Sequence, residues 1–124
     1  MKKFISAAAF VLVAASATQA QDVAEGEKVF KKCMACHAVG EGAKNKVGPV
    51  LNGVVGRPAA SVEGFNYSQG LKDAAAGGLV WDEANLSKYL ENPKEMVKGN
   101  KMAFAGLKKE EERANVIAFL KSHP

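Results

Sequence analysis

Residues that usually announce chemistry are scarce in this chain. Its 124 residues hold two cysteines, two histidines and one tryptophan. Without further cysteines, no complete thiolate zinc shell can be built. No βαβ pattern surrounds the cysteine pair, so the usual setting of a thioredoxin-like dithiol is missing too. No basic run is interleaved with aromatics, so the formal charge of +4 does not argue for nucleic-acid binding. No repeat or linker is visible, and no nucleophile stands with its base. The length suits one domain.

The first residues read as an export signal. Met1-Lys2-Lys3 is a charged start, Phe4 to Ala17 is an uncharged run rich in Ala and Val, and Thr18 and Ala20 are small. The run is too short for a comfortable membrane span, and no other segment approaches one. We expect a signal peptide over residues 1–20 and a mature domain over 21–124, with cleavage after Ala17 as the alternative. Export would place the mature protein in the periplasm. Losing Lys2 and Lys3 lowers Lys plus Arg from 17 to 15 against 13 acidic residues, so the charge falls from +4 to +2.

Both cysteines and one histidine stand together in Cys33-Met34-Ala35-Cys36-His37. C-x-x-C-H is the attachment signature of a c-type haem. Two thiols so spaced can add to the two vinyl groups of the macrocycle. The next residue, His37, can then offer a ring nitrogen to the iron as the proximal ligand. A domain of this size is marginal on its own core, and a covalently held, buried macrocycle gives it apolar surface to fold around.

Around the motif the pattern is helical at both ends and irregular between. Asp22 with Glu25 opens a helix whose apolar face carries Val29, Phe30 and Cys33, which places the motif in its last turns. Gly26 falls near that face, where a close helix crossing would compensate its cost. Residues 39–64 show little periodicity and much glycine, as a stretch wrapping a cofactor would. Ser68 caps a helix reaching Ala76 and stopped by Gly77-Gly78. Asp82 caps another, ended by Asn92-Pro93. The last helix runs from about Lys108 to Ser122, with Val116, Ile117, Phe119 and Leu120 inward and Glu110 to Glu112 in its first turn.

For the other side of the iron, the residues alone leave His123, Met34, Met96, Met102, a lysine or nothing. His123 lies on a polar tail, and Met34 sits between the two thioether cysteines. Met96 and Met102 share one loop, and each also reads as an adaptable core filler.

From Asp22 to Leu120 the sequence resembles the class I c-type cytochromes, among them the bacterial cytochromes c2. The matching segments are Gly26-Glu-Lys-Val-Phe30, Cys33 to His37, Gly48-Pro-Val-Leu-Asn-Gly-Val-Val-Gly-Arg57, Phe65-Asn-Tyr-Ser68, Trp81, Tyr89-Leu-Glu-Asn-Pro93 and Gly99-Asn-Lys-Met-Ala-Phe104. The resemblance implies an all-α cytochrome c fold: about four to five short helices wrapped around one covalent haem c, with the terminal helices crossing. It implies that Met102 is the distal ligand. It further implies that the Pro49 carbonyl accepts from the free ring N–H of His37, that Arg57, Tyr67, Ser68 and Trp81 hold or shield the haem propionates, and that Tyr89 lies near the Met102 sulfur. Asn52 stands where many relatives carry histidine or tyrosine. Lys98 and Asn100 stand where mitochondrial relatives carry proline and threonine, changes expected to loosen the Met102 loop or move the potential.

With His37 and Met102 both bound, the iron keeps no vacant site for substrate. The expected function is therefore electron transfer and not catalysis. The resemblance implies a monomeric periplasmic carrier between a membrane quinol-oxidising complex of the cytochrome bc1 type and a photosynthetic reaction centre, oxidase or reductase. Lys31, Lys32, Lys98 and Lys101 belong to a set expected to rim the haem edge and to dock acidic partner faces transiently.

Overall fold

Asp22 opens the first helix as its composition suggests: its Oδ1 accepts from the backbone N–H groups of Ala24 and Glu25, at 2.9 and 3.2 Å. The computed structural model describes residues 21–124 together with residues 8 and 9, so the expected signal peptide lies almost wholly outside the described residues. The helices are α1 (Val23–Phe30), α2 (Gln69–Ala76), α3 (Glu83–Glu91), α4 (Pro93–Met96) and α5 (Glu110–Lys121). Ser68 Oγ accepts from the Leu71 N–H to cap α2, and Asp82 Oδ1 accepts from the Asn85 N–H to cap α3. Both starts were legible from the capping residues.

α1 is shorter than its apolar periodicity suggests. It ends at Phe30, and the chain continues in tight turns through Cys36. The Lys31 N–H donates to Lys28 O, Lys32 N–H to Val29 O and Cys33 N–H to Phe30 O, all three-residue closures that tighten the chain. The C-x-x-C-H motif therefore follows the helix instead of lying within it. Pro93 does more than end α3. Asn92 caps a further four-residue helix with Pro93 at its first position, where a missing N–H costs nothing.

α1 and α5 cross at Gly26. A Cβ there would lie 2.6 Å from the Asn115 carbonyl carbon and 2.8 Å from Phe119 Cβ. Phe30 packs on Phe119 with ring centroids 5.1 Å apart. The Asp22 N–H donates to Asn115 Oδ1 at 3.0 Å, closing the same crossing. On α5, residues Val116, Ile117, Phe119 and Leu120 are all buried, as expected.

Arg113 is the charged exception on α5, only 8% exposed. Its Nε donates to Ser87 Oγ at 3.0 Å, and its Nη1 to Leu107 O and Lys108 O at 2.9 and 3.0 Å. One side chain thus ties α5 to α3 and to the segment entering α5. These carbonyls satisfy a guanidinium that burial would otherwise penalise.

Between α1 and α2 the chain is irregular. Its only pairing is an isolated antiparallel bridge between Pro58 and Val80, among the described residues. The flanking bonds run from Gly56 N–H to Trp81 O and from Trp81 N–H to Arg57 O, at 2.7 and 2.9 Å. They set Arg57 and Trp81 side by side. No helix among the described residues is long and apolar enough to cross a membrane.

Candidate functional site

The irregular stretch, α3 and the segment after α4 enclose a mostly apolar cavity. Cys33, Cys36 and His37 line one side, and Met102, more than sixty residues downstream, lines it as well. Cys33 and His37 are half-buried, and Cys36 is exposed at the rim. Burial pushes the Cys33 thiol above its usual pKa.

His37 is held from two directions. Its Nδ1 sits 2.8 Å from the Pro49 carbonyl, so the ring donates there and in its neutral form leaves Nε2 unprotonated. Burial pulls the imidazole below its ordinary pKa; the Pro49 carbonyl opposes this, while the charges of Arg57 and Lys46 add to it. The neutral ring is the form that ligates a metal. Gly48 presses against the ring face, where any Cβ would lie within 2.8 Å of Nδ1 and 2.9 Å of Nε2. This demand for glycine was missed in the sequence, because Gly48 read only as one of the glycines of the irregular stretch and as part of a segment shared with relatives.

Arg57 lines the same cavity with a donor to spare. Its Nη1 donates to the Val50 and Asn52 carbonyls, at 3.2 and 3.0 Å. Its Nε is buried with no hydrogen-bond partner. A buried guanidinium N–H left unpaired is costly, and a carboxylate such as a haem propionate would satisfy it. Burial accordingly lowers the Arg57 pKa from its usual value.

Tyr67 and Ser68 are buried beside it, at 7% and 5% exposure. The Tyr67 hydroxyl accepts from the Val62 N–H at 3.0 Å, and Ser68 Oγ accepts from Leu71, so each keeps its own O–H proton to donate. Trp81 lines the cavity and packs on Tyr89 with ring centroids 4.8 Å apart. Burial pushes the Tyr89 hydroxyl up to about 12, so it stays neutral. The donor set, the apolar walls and the thiol pair all fit a haem.

Of the two loop methionines, Met102 lines this cavity. Met96 packs against the core and lines a second cleft with Lys88, Glu91, Glu95 and Lys108. That cleft has a charged lining, and Lys108 Nζ is already committed to Glu91 O at 2.7 Å. Met34 is 53% exposed. His123 is not on a free tail: its ring rests 4.9 Å from that of Phe119, and its carbonyl accepts from the Gly53 N–H. Among the described residues, no group of three or more His, Cys, Asp or Glu side chains could hold a metal ion.

Residues 23–124 match the family model for cytochrome c. Cytochrome c2 of Rhodomicrobium vannielii is 54% identical over 118 residues, 95% of this chain and 92% of the relative. Cytochrome c-550 of Ancylobacter novellus is 60% identical over 99 residues, 80% of this chain and 92% of the relative. The solved structure of cytochrome c2 from Rhodospirillum centenum superposes with a TM-score of 0.77 at 45% identity, covering 82% of this chain and 98% of that one. Cytochrome cH from Methylobacterium extorquens gives 0.74 at 43% identity with the same coverage.

The chain therefore belongs to the cytochrome c family, as an electron-transfer protein carrying one covalently attached haem c. Within that family it stands close to the bacterial cytochromes c2, and its all-α architecture is theirs.

Proposed function

We propose that this protein is a soluble, monomeric periplasmic electron carrier. Its haem iron is held between His37 and Met102, and Cys33 and Cys36 carry the two thioether bonds. The observation that supports this reading best is the meeting, on one cavity, of the C-x-x-C-H residues and a single distant methionine. Bound there, the haem supplies an iron that exchanges one electron between ferric and ferrous states with little change in coordination.

The chain's own residues do the rest. Pro49 and Gly48 fix the His37 ring so that its second nitrogen stays neutral and aimed. Arg57, Tyr67, Ser68 and Trp81 present donors to the propionates. Tyr89 and the apolar walls keep water from the Met102 side, which favours the less charged ferrous state. In a spectroelectrochemical titration, the weak red band of sulfur-to-iron charge transfer should vanish on reduction with a one-electron slope of about 59 mV per decade. A ferric protein without that band would overturn Met102 ligation.

Lys31, Lys32, Lys98 and Lys101 make up the docking face in this reading, for acidic faces of a bc1-type complex as donor and of a reaction centre or terminal oxidase as acceptor. Lys32 is partly neutralised by Glu112 at 3.6 Å. Lys101 Nζ reaches the Asn66 carbonyl at 3.3 Å, and a carbonyl leaves its charge unopposed. We expect Lys31→Gln with Lys101→Gln to slow association with a purified bc1-type complex roughly three- to tenfold at low ionic strength, and much less at high salt. Rates indifferent to both charge and salt would remove the docking face. The charged start and small-residue end of residues 1–20 support export.

A further inference from the structure

Asn100 carries a role that the sequence comparison with mitochondrial relatives does not suggest. Where threonine would stand in those relatives, the asparagine amide closes on the backbone of its own segment. Its Nδ2 donates to Pro93 O at 2.9 Å and to Val97 O at 3.0 Å. Its Oδ1 accepts from the Met102 N–H at 2.9 Å. The two carbonyls belong to buried residues: Pro93 is fully buried, and Val97 is 3% exposed. Gly99, at φ +71°, supplies the reversal that brings the amide back over them.

Nothing else holds the Met102 backbone in this way. Among the described residues, no backbone–backbone hydrogen bond is donated by residues 101–106. The next such anchor is the Leu107 N–H, which donates to Leu90 O at 2.7 Å. The Met102 N–H therefore depends on a side chain, and that side chain is tied to the two most buried points of the α4 turn. Asparagine alone among short side chains offers two donors and an acceptor in one plane. Aspartate cannot donate, serine and threonine donate once, and alanine does neither. Turning the amide over would face its NH₂ toward the Met102 N–H, so the network fixes its orientation.

We infer that Asn100 is the positioning residue for Met102, holding the thioether against the cavity so that the iron's distal side stays closed to other ligands. This rests on Met102 being the distal ligand. In this inference Asn100 braces the Met102 loop, where its departure from threonine was expected to loosen that loop or move the potential.

The test uses the ferric holoprotein and cyanide, which binds once the sulfur has left. Asn100→Ala should bind cyanide roughly tenfold faster or more, and Asn100→Ser, which keeps an acceptor and one donor, should fall between it and the parent protein. The sulfur-to-iron band of each variant should be lost on heating well before the helices unfold, a separation that a merely structural weakening would not produce. If Asn100→Ala does not fold, the serine variant decides. Cyanide rates within twofold of the parent, with the band melting only at global unfolding, would overturn the inference. A parent protein lacking the band at the outset would instead overturn Met102 ligation itself, so the two failures are distinguishable.

Discussion

Met102→Ala is expected to abolish the sulfur-to-iron band and to lower the midpoint potential by on the order of a few tenths of a volt, within the ~0.8 V span that axial ligands command. The thioether is a soft ligand that stabilises the ferrous state, and an alanine leaves that position to water or to an added ligand. The surroundings would add little to compensate. Tyr89, with its hydroxyl pushed up to about 12 by burial, stays neutral and supplies no anion to stabilise the ferric charge. The fold should survive. Met102 is only half-buried, so truncation costs less than the roughly 2–5 kcal/mol of a fully buried methionine. Carbon monoxide and cyanide should then bind rapidly. Met96→Ala is the internal control: that side chain packs on the core away from the cavity, so the band should persist and the potential should show no comparable drop. A Met102→Ala protein that keeps the band would mean another sulfur binds the iron, and Met96 would be the one to remove next.

These two methionines show where sequence reading runs out. On composition they were equivalent, the same thioether side chain twice in one loop, and only the resemblance separated them. In the structure the distinction is one of lining: Met96, at the end of the four-residue helix α4, lies outside the cavity wall, while Met102, whose N–H donates to Asn100 Oδ1, is part of it. A turn this short has too few residues for a periodic signal. The Gly99-Asn100 pair was a readable turn signal, but its purpose depends on Pro93 and Val97 carbonyls that only the folded chain brings near.

Signals confined to a few neighbouring residues were the legible ones. Ser68 and Asp82 announced α2 and α3 because a cap bonds to N–H groups within one turn. The C-x-x-C-H run was legible because covalent attachment demands local spacing. What failed was the end of α1, where no glycine or proline marks the tightening after Phe30. Arg113 was also invisible: beside buried Val116 and Ile117 it reads as a surface cation, yet its partners, Ser87, Leu107 and Lys108, come from other segments. The unpaired Arg57 Nε belongs to the same class, since sequence cannot say which two carbonyls occupy the rest of a guanidinium.

Gly26→Ala is expected to destabilise the protein by about 2 kcal/mol or more, although alanine is the better helix former by about 1 kcal/mol. The sign is decided by what the new methyl meets. It would lie 2.6 Å from the Asn115 carbonyl carbon and press on the attached oxygen, both backbone atoms inside α5, where no rotamer change can yield. α1 must lift instead, and in doing so loosen the Phe30–Phe119 packing at 5.1 Å and the Asp22 to Asn115 bond at 3.0 Å. For a domain of this size the loss corresponds to a fall in Tm of roughly 10 °C or more. Gly77→Ala gives the contrast. Its nearest neighbours would be Ala74 O at 3.4 Å and Asp73 O at 3.6 Å, ordinary contacts at a helix end, so it should be neutral or slightly stabilising. Thermal unfolding of both holoproteins by far-ultraviolet circular dichroism separates the cases, and a Gly26→Ala protein melting within about 3 °C of the parent would show that the crossing tolerates a methyl group. Because the turns carrying Cys33, Cys36 and His37 start directly from the end of α1, a lifted helix also carries the attachment residues away from Pro49 and Gly48. The same substitution should therefore broaden the distal and proximal spectroscopic signatures before it unfolds the chain, linking a glycine far from the cavity to the geometry at its centre.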